Sequence, residues 1–241
     1  KDYISIGVTR LSIGLQSTNN NLLKEIGRIH TYEDFLNTYK LARKVGFKNI
    51  NADLIIGLPN QTINDVEMSV SKLVELELEH ISVYSLILEE GTKLEELIRS
   101  GKLELPEDEG ERRMYWRVKE ILEKNEYIHY EISNFAKKGY ESKHNLDCWY
   151  QKEYIGFGVA AHSYTNGIRY SNIENMEDYI KNYETGEVAE NFVFHEKQTH
   201  NMKVKEYMML GLRKLKGISI QEFKEKFAAN PIYAFKNELE K

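Results

Sequence analysis

From residue 8 onward the chain alternates short strand-like stretches with longer helix-like ones, the pattern of a parallel sheet whose strands are joined by helical crossovers. Val8 to Leu15 reads as a strand and leads into a helical stretch from Asn20 to Arg28. A second helix follows. Thr31 with Asp34 resembles a capping box, Phe35, Tyr39, Ala42 and Val45 recur at helical spacing, and Gly46 stands where a C-terminal cap belongs. Asn49 to Ile56 is the next strand, ended by Gly57-Leu58-Pro59. Thr62 with Asp65 then opens a helix whose apolar positions Val66, Val70, Leu73 and Val74 run towards Leu78. His80 to Ile87 forms a third strand, Pro106 to Asn125 a helix and Tyr127 to Ser133 a fourth strand. Crossovers of this kind are right-handed, so their repetition curls a sheet towards a full or partial TIM-like barrel, and the expected fold class is α/β.

The rhythm breaks after residue 134. Asn134 to Gly167 is rich in Gly, His and aromatic residues, as suits a functional loop region. Helical patterns return from Glu196 to Leu215 and from Ser219 to Ala228. The expected division is a barrel part with its loop region over residues 1–170 and a small, mostly helical module over 171–241.

Side chains of a strand alternate between faces, so parity separates the two sides. Arg10, Ser12, Gly14 and Gln16 share one face of the first strand; Asn51 and Asp53 share one face of the second; Ser82 and Tyr84 of the third; His129, Glu131 and Ser133 of the fourth. A parallel sheet usually buries both faces in apolar side chains. Two readings remain: a concave surface that holds a polar ligand, or a sheet with one solvated face. The placement of Gln16 at the C-terminal end of its strand, the usual active edge, favours the first. Gly14 would let a ligand approach the backbone closely.

Composition narrows the classes. The chain has 241 residues, 41% hydrophobic and 29% charged, with a mean hydropathy of -0.56 and no apolar run long enough to cross a bilayer. A net charge of -5, with acidic and basic residues mixed along the chain, lacks the basic stripe that attracts phosphate backbones, so nucleic acid is not an expected partner. A lone cysteine, Cys148, can form neither an internal disulfide nor a multi-thiolate metal site, and a cytoplasmic home follows as the default.

The run from Arg10 to Ser17, then Gly27-Arg28-Ile29-His30, then Asn51 to Pro59 with Gln61-Thr62, resembles the oxygen-independent coproporphyrinogen III oxidase family in order and spacing. Tyr130 to Phe135, His144-Asn145 with Trp149, and Gly156 to Ser163 resemble its heme-chaperone branch. Glu206 to Arg213, with Phe223 and Phe227, resembles the start of the family's C-terminal helical domain. The resemblance implies a radical S-adenosylmethionine (SAM) protein with a partial six-unit barrel and a 4Fe-4S cluster held by a CxxxCxxC motif. That motif does not occur in this sequence, so the cluster ligands are expected outside this chain, which reads as a fragment of a longer product.

By the same resemblance, Gln16, Arg28 and Asp53 match the SAM-contacting positions. An arginine fork suits the cofactor's carboxylate, and amide and carboxylate side chains suit its amine and hydroxyls. The competing readings are a structural carboxylate for Asp53 and a surface ion pair for Arg28. His162 lies in a glycine-flanked loop where it could contact the cofactor. His144 falls in a segment resembling the branch's H-N-x-x-Y-W heme-associated motif, with Cys148 at the tyrosine position. Either imidazole or thiolate can ligate heme iron, although such residues are more often structural.

The implied function is a heme chaperone that binds heme and passes it to heme-requiring proteins, such as the membrane enzymes of respiratory complexes. The alternatives are a coproporphyrinogen III oxidase and another TIM-barrel enzyme. Met202, Met208, Met209 and Leu212 read as a helix core stripe, and Glu107 to Glu111 as a solvated helix start.

Overall fold

The computed structural model describes residues 1–240, which divide into two compact units, the second beginning at Ser142 after a first of Lys1–Glu141. The first unit runs α1 (Asp2–Ser5), β1 (Leu11–Gln16), α2 (Asn20–Glu25), α3 (Tyr32–Val45), β2 (Ile50–Ile56), α4 (Ile63–Glu75), β3 (His80–Ser85), α5 (Lys93–Arg99), α6 (Asp108–Lys124), β4 (Ile128–Glu131) and β5 (Asn134–Ala136).

Local chemistry starts and stops these elements as the sequence suggests. Thr31 and Asp34 form a reciprocal capping box at α3, Thr62 and Asp65 another at α4, and Gly46 closes α3 in the left-handed conformation at φ 111. The helices cover one face of the sheet. Leu15, Ile50, Ala52, Leu54, Ile56, Ile81, Val83 and Phe135 pack there against Phe35, Ala42, Val66, Val70, Leu73, Met114, Val118 and Leu122 in one core. Burying these side chains is the main force holding helices to sheet, at about 1.5–3 kcal/mol for each large aliphatic.

The sheet has the order β1-β2-β3-β5-β4. β1, β2 and β3 pair in parallel as the crossovers require. The fourth strand departs from the expected rhythm. β4 turns at once into the three-residue β5, which pairs antiparallel with both β3 and β4, so β4 is carried to the edge. A bulge between His129 and Glu131 also shifts the side-chain parity of β4. His129 therefore stacks on Phe135 at 4.3 Å and meets Tyr115 of α6, on the helix side, while Tyr130 reaches His80 on the polar side. The expected placement of these two residues is reversed.

The second unit comprises α7 (Lys143–Trp149), β6 (His162–Thr165), β7 (Ile168–Asn172), α8 (Met176–Thr185), a 3-10 turn (Val188–Asn191), β8 (Phe192–Lys197), α9 (His200–Gly211), α10 (Ile220–Phe227), α11 (Pro231–Ala234) and α12 (Lys236–Leu239). The sequence suggests a boundary near residue 170; the compact units divide earlier because β6 pairs with β7 and β7 with β8 in a three-stranded antiparallel sheet. α9 and α10 pack on one another through Tyr207, Phe223 and Phe227, with Phe235 against them. α9 buries Tyr207 and Gly211, with Val204 and Met208 partly buried beside them, whereas Met202, Met209 and Leu212 are exposed, so of the expected stripe only Met208 packs against the core. No helix among the described residues is long and apolar enough to cross a membrane.

Candidate functional site

The pairing registers lay the polar residues of the first unit in two rows across the face opposite the helices, exposed at Ser12 and Gly14 and buried at Asn51, His80, Ser82, Asn134 and Glu131. One row is Ser12, Asn51 and His80; the next is Gly14, Asp53, Ser82, Asn134 and Glu131. Parity and register place them there together, as the sequence reading anticipates for β1, β2 and β3.

Asp53 stands at the centre of this surface, partly exposed. Its Oδ1 accepts from Asn51 Nδ2 at 2.7 Å and its Oδ2 from Ser12 Oγ at 3.2 Å. Asn51 Nδ2 also donates to Ser12 Oγ at 2.6 Å. Behind it, Asn51 Oδ1 meets His80 Nδ1 at 2.6 Å and accepts from Ser82 Oγ at 3.2 Å, and His80 Nε2 meets Tyr130 Oη at 2.7 Å. Asn134 donates to Glu131 at the far side. His80 is fully buried; burial, assisted by the nearby charge of Arg10, pulls its pKa down to about 3 and keeps it neutral.

β1 ends on a local irregularity. Its pairing with β2 slips between Gly14 and Gln16, and Gln16 takes the left-handed conformation at φ 70. The Gln16 side chain folds back over Gly14, where an added Cβ would lie 2.9 Å from its Nε2. Gly14 thus leaves room for the Gln16 amide beside Asp53 in the neighbouring strand. The segment after β1 is tied down by His30 Nε2, which donates to Leu15 O at 3.1 Å, and by Asn19 Nδ2, which donates to Asp65 at 2.8 Å.

Of the three residues expected to contact SAM, the structure brings Gln16 and Asp53 to adjacent strands on one face. Arg28 lies apart, exposed on the turn after α2, with no side-chain hydrogen bond or ion pair among the described residues. His80 and Tyr130 are the members of the network that sequence reasoning missed. His80 has the parity of Ser82 but reads as an ordinary strand start, and the bulge hides Tyr130.

His144 is exposed in the first turn of α7, with Cys148 one turn further along the same helix. Burial and the neighbouring Asp147 carboxylate push the Cys148 thiol up, so it stays protonated near neutral pH. Trp149 lies next in the chain, with Arg213 stacked 4.7 Å from its ring centre. His162, on β6, is exposed and stacks on His195 of β8 at 5.3 Å, with His195 Nε2 bonded to Ser171 Oγ at 2.8 Å. No group of three metal-binding side chains occurs among the described residues, and Cys148 is the chain's single thiol, so these residues do not supply a cluster's thiolates.

Residues 1–73, which carry Gln16, Arg28 and Asp53, match the model of the Radical SAM superfamily. The chain is 42% identical over 225 residues to heme chaperone HemW of Bacillus subtilis, covering 92% of this chain and 58% of that protein. It is 42% identical over 220 residues to heme chaperone HemW of Lactococcus lactis, with 91% and 57% covered. The structure superposes on coproporphyrinogen III oxidase (HemN) from Escherichia coli with a TM-score of 0.79 at 19% identity, covering 99% of this chain and 57% of that one, which shows the radical SAM fold. The chain thus carries part of a radical SAM domain and is similar over most of its length to relatives named heme chaperone HemW. It spans a little under three fifths of the length of the two HemW relatives it matches.

Proposed function

We propose that this chain is the ligand-orienting part of a heme chaperone built on a radical SAM fold. The observation that carries the reading is the 42% identity to a heme chaperone over 225 residues, a stretch long enough to include both the Asp53 surface and α7. In this reading Asp53 and the Gln16 amide that lies over Gly14 hold SAM at the end of β1 and β2. The residues suit it: Asp53 has accepting capacity left for a hydroxyl or amine, and Gln16 offers an amide that the missing side chain of Gly14 lets fold in beside it. Arg28 would swing in from its exposed turn to meet the cofactor's carboxylate. Bound beside a reduced 4Fe-4S cluster, whose ligands lie outside this chain, SAM supplies radical chemistry; the residues here orient it and exclude water.

Heme is the proposed cargo, with heme-requiring proteins such as membrane-bound respiratory enzymes as recipients. His144 is the proposed iron ligand. Its imidazole is exposed on α7, whereas Cys148 is held as a protonated thiol and is a poor ligand in that state. Titration of anaerobically purified full-length protein with hemin tests this reading. A Soret band that forms with wild type and weakens in His144→Ala supports it; no band, or decarboxylation of coproporphyrinogen III in a reconstituted assay, contradicts it.

A further inference from the structure

An ionised Asp53 can only accept hydrogen bonds, so the Asn51 group 2.7 Å from its Oδ1 is the amide NH2, and Asn51 Oδ1 faces the other way. That oxygen meets His80 Nδ1 at 2.6 Å and Ser82 Oγ at 3.2 Å, and both must donate to it. A neutral imidazole with its proton on Nδ1 keeps a lone pair on Nε2, which Tyr130 Oη at 2.7 Å fills as the donor. The protons therefore point one way along Tyr130, His80, Asn51 and Asp53. The other tautomer of His80 would require Asn51 to turn, placing its carbonyl against the carboxylate, a repulsive contact between two acceptors.

We propose that Tyr130 and His80 are positioning residues for Asp53: the Tyr130 hydroxyl fixes the His80 tautomer, the tautomer fixes the Asn51 amide, and the amide holds the Asp53 carboxylate facing the open side of the sheet. The role rests on reading Asp53 as the contact to SAM. His80 touches no ligand itself. Its work is done at two removes, from a fully buried position that a ligand on the open face would not reach.

Replacing His80 by each of two amides separates orientation from packing. In His80→Asn the amide nitrogen takes the place of Nδ1 and still donates to Asn51; in His80→Gln it takes the place of Nε2 and leaves Asn51 without that donor. SAM binding is measured by calorimetry on full-length protein with its cluster reconstituted, with Tm recorded for each variant. His80→Asn is expected to stay within about threefold of wild type and His80→Gln to bind about tenfold more weakly at a similar Tm, the size of one lost hydrogen bond to a polar network. Tyr130→Phe, which keeps the ring, is expected to weaken binding by about threefold or more. Equal affinities for the two His80 variants, or losses that merely follow Tm, overturn the positioning role. Asp53→Asn separates the two ideas: if it binds SAM as wild type does, the assignment of Asp53 itself is wrong, whereas a loss there with no effect at His80 and Tyr130 rejects the relay alone.

Discussion

The amide of Gln16 lies back over Gly14, so closely that a Cβ on Gly14 would stand 2.9 Å from Gln16 Nε2. Two residues apart on one strand, they meet because the strand ends in a left-handed turn at Gln16 rather than continuing its extended course. The bare backbone of Gly14 is what the Gln16 side chain occupies, beside Asp53 in the next strand.

Gly14→Ala is therefore expected to move the Gln16 amide without breaking the fold. The atom displaced is the tip of a flexible side chain, so the stability cost is expected to be under about 1 kcal/mol, below the usual cost of overpacking a core. Urea unfolding would show a small shift, while SAM affinity falls clearly.

The buried, neutral His80 makes stability depend on pH. Its folded pKa, about 3, lies below the ordinary histidine value of 6.5, so the unfolded chain binds the extra proton first. Its contribution is complete above pH 6.5 and is lost as pH falls from there towards 3, by up to about 1.4 kcal/mol per pH unit. Urea midpoints of wild type and His80→Asn between pH 7 and 4.5 should differ in slope, with the variant less acid-sensitive. Parallel slopes would remove His80 from the account.

Thr62 accepts the Asp65 backbone N–H at 3.2 Å while Asp65 caps back onto Thr62 N at 2.9 Å, and Asp65 also accepts from Asn19. Thr62→Ala is expected to cost about 1 kcal/mol, the usual value of an N-cap. Burial pushes the Asp65 carboxyl up, but the bonds it accepts from the Thr62 hydroxyl, Asn19 and the Thr62 N–H outweigh this and hold it below its ordinary value. Denaturant unfolding at pH 7 measures the loss.

Cys148 should react sluggishly. With its thiol pushed up by burial and by Asp147, the thiolate fraction at pH 7.5 is smaller than in an ordinary cysteine. Alkylation by iodoacetamide should be slower than for free cysteine and accelerate at higher pH, and Cys148→Ser should bind hemin as wild type does. A heme spectrum that changes in Cys148→Ser would make the thiol a ligand after all.

Much of the first unit is legible in the sequence because its signals are local and repeat. The Thr31/Asp34 and Thr62/Asp65 boxes, the apolar stripe of α4 and the parity of β1, β2 and β3 appear in the structure as read. The polar network is legible only in part. Ser12, Asn51, Asp53 and Ser82 follow from alternation, but Tyr130 does not, because one bulged residue reverses the parity of β4. A three-residue strand such as β5 is too short to show a period. In the second unit, β8 is hidden because Phe192, Val193 and Phe194 are consecutive and all exposed, without the alternation that marks a half-buried strand. On α9, exposed Met209 and Leu212 blur the stripe formed by Tyr207 and its neighbours.

The most direct measurement is a crystal structure of the full-length protein grown anaerobically with SAM. The account predicts cofactor density against Asp53 and the Gln16 amide, both within hydrogen-bonding distance of its polar atoms, with Arg28 drawn in to its carboxylate. Density for SAM elsewhere, with Asp53 still turned to open solvent, would contradict it.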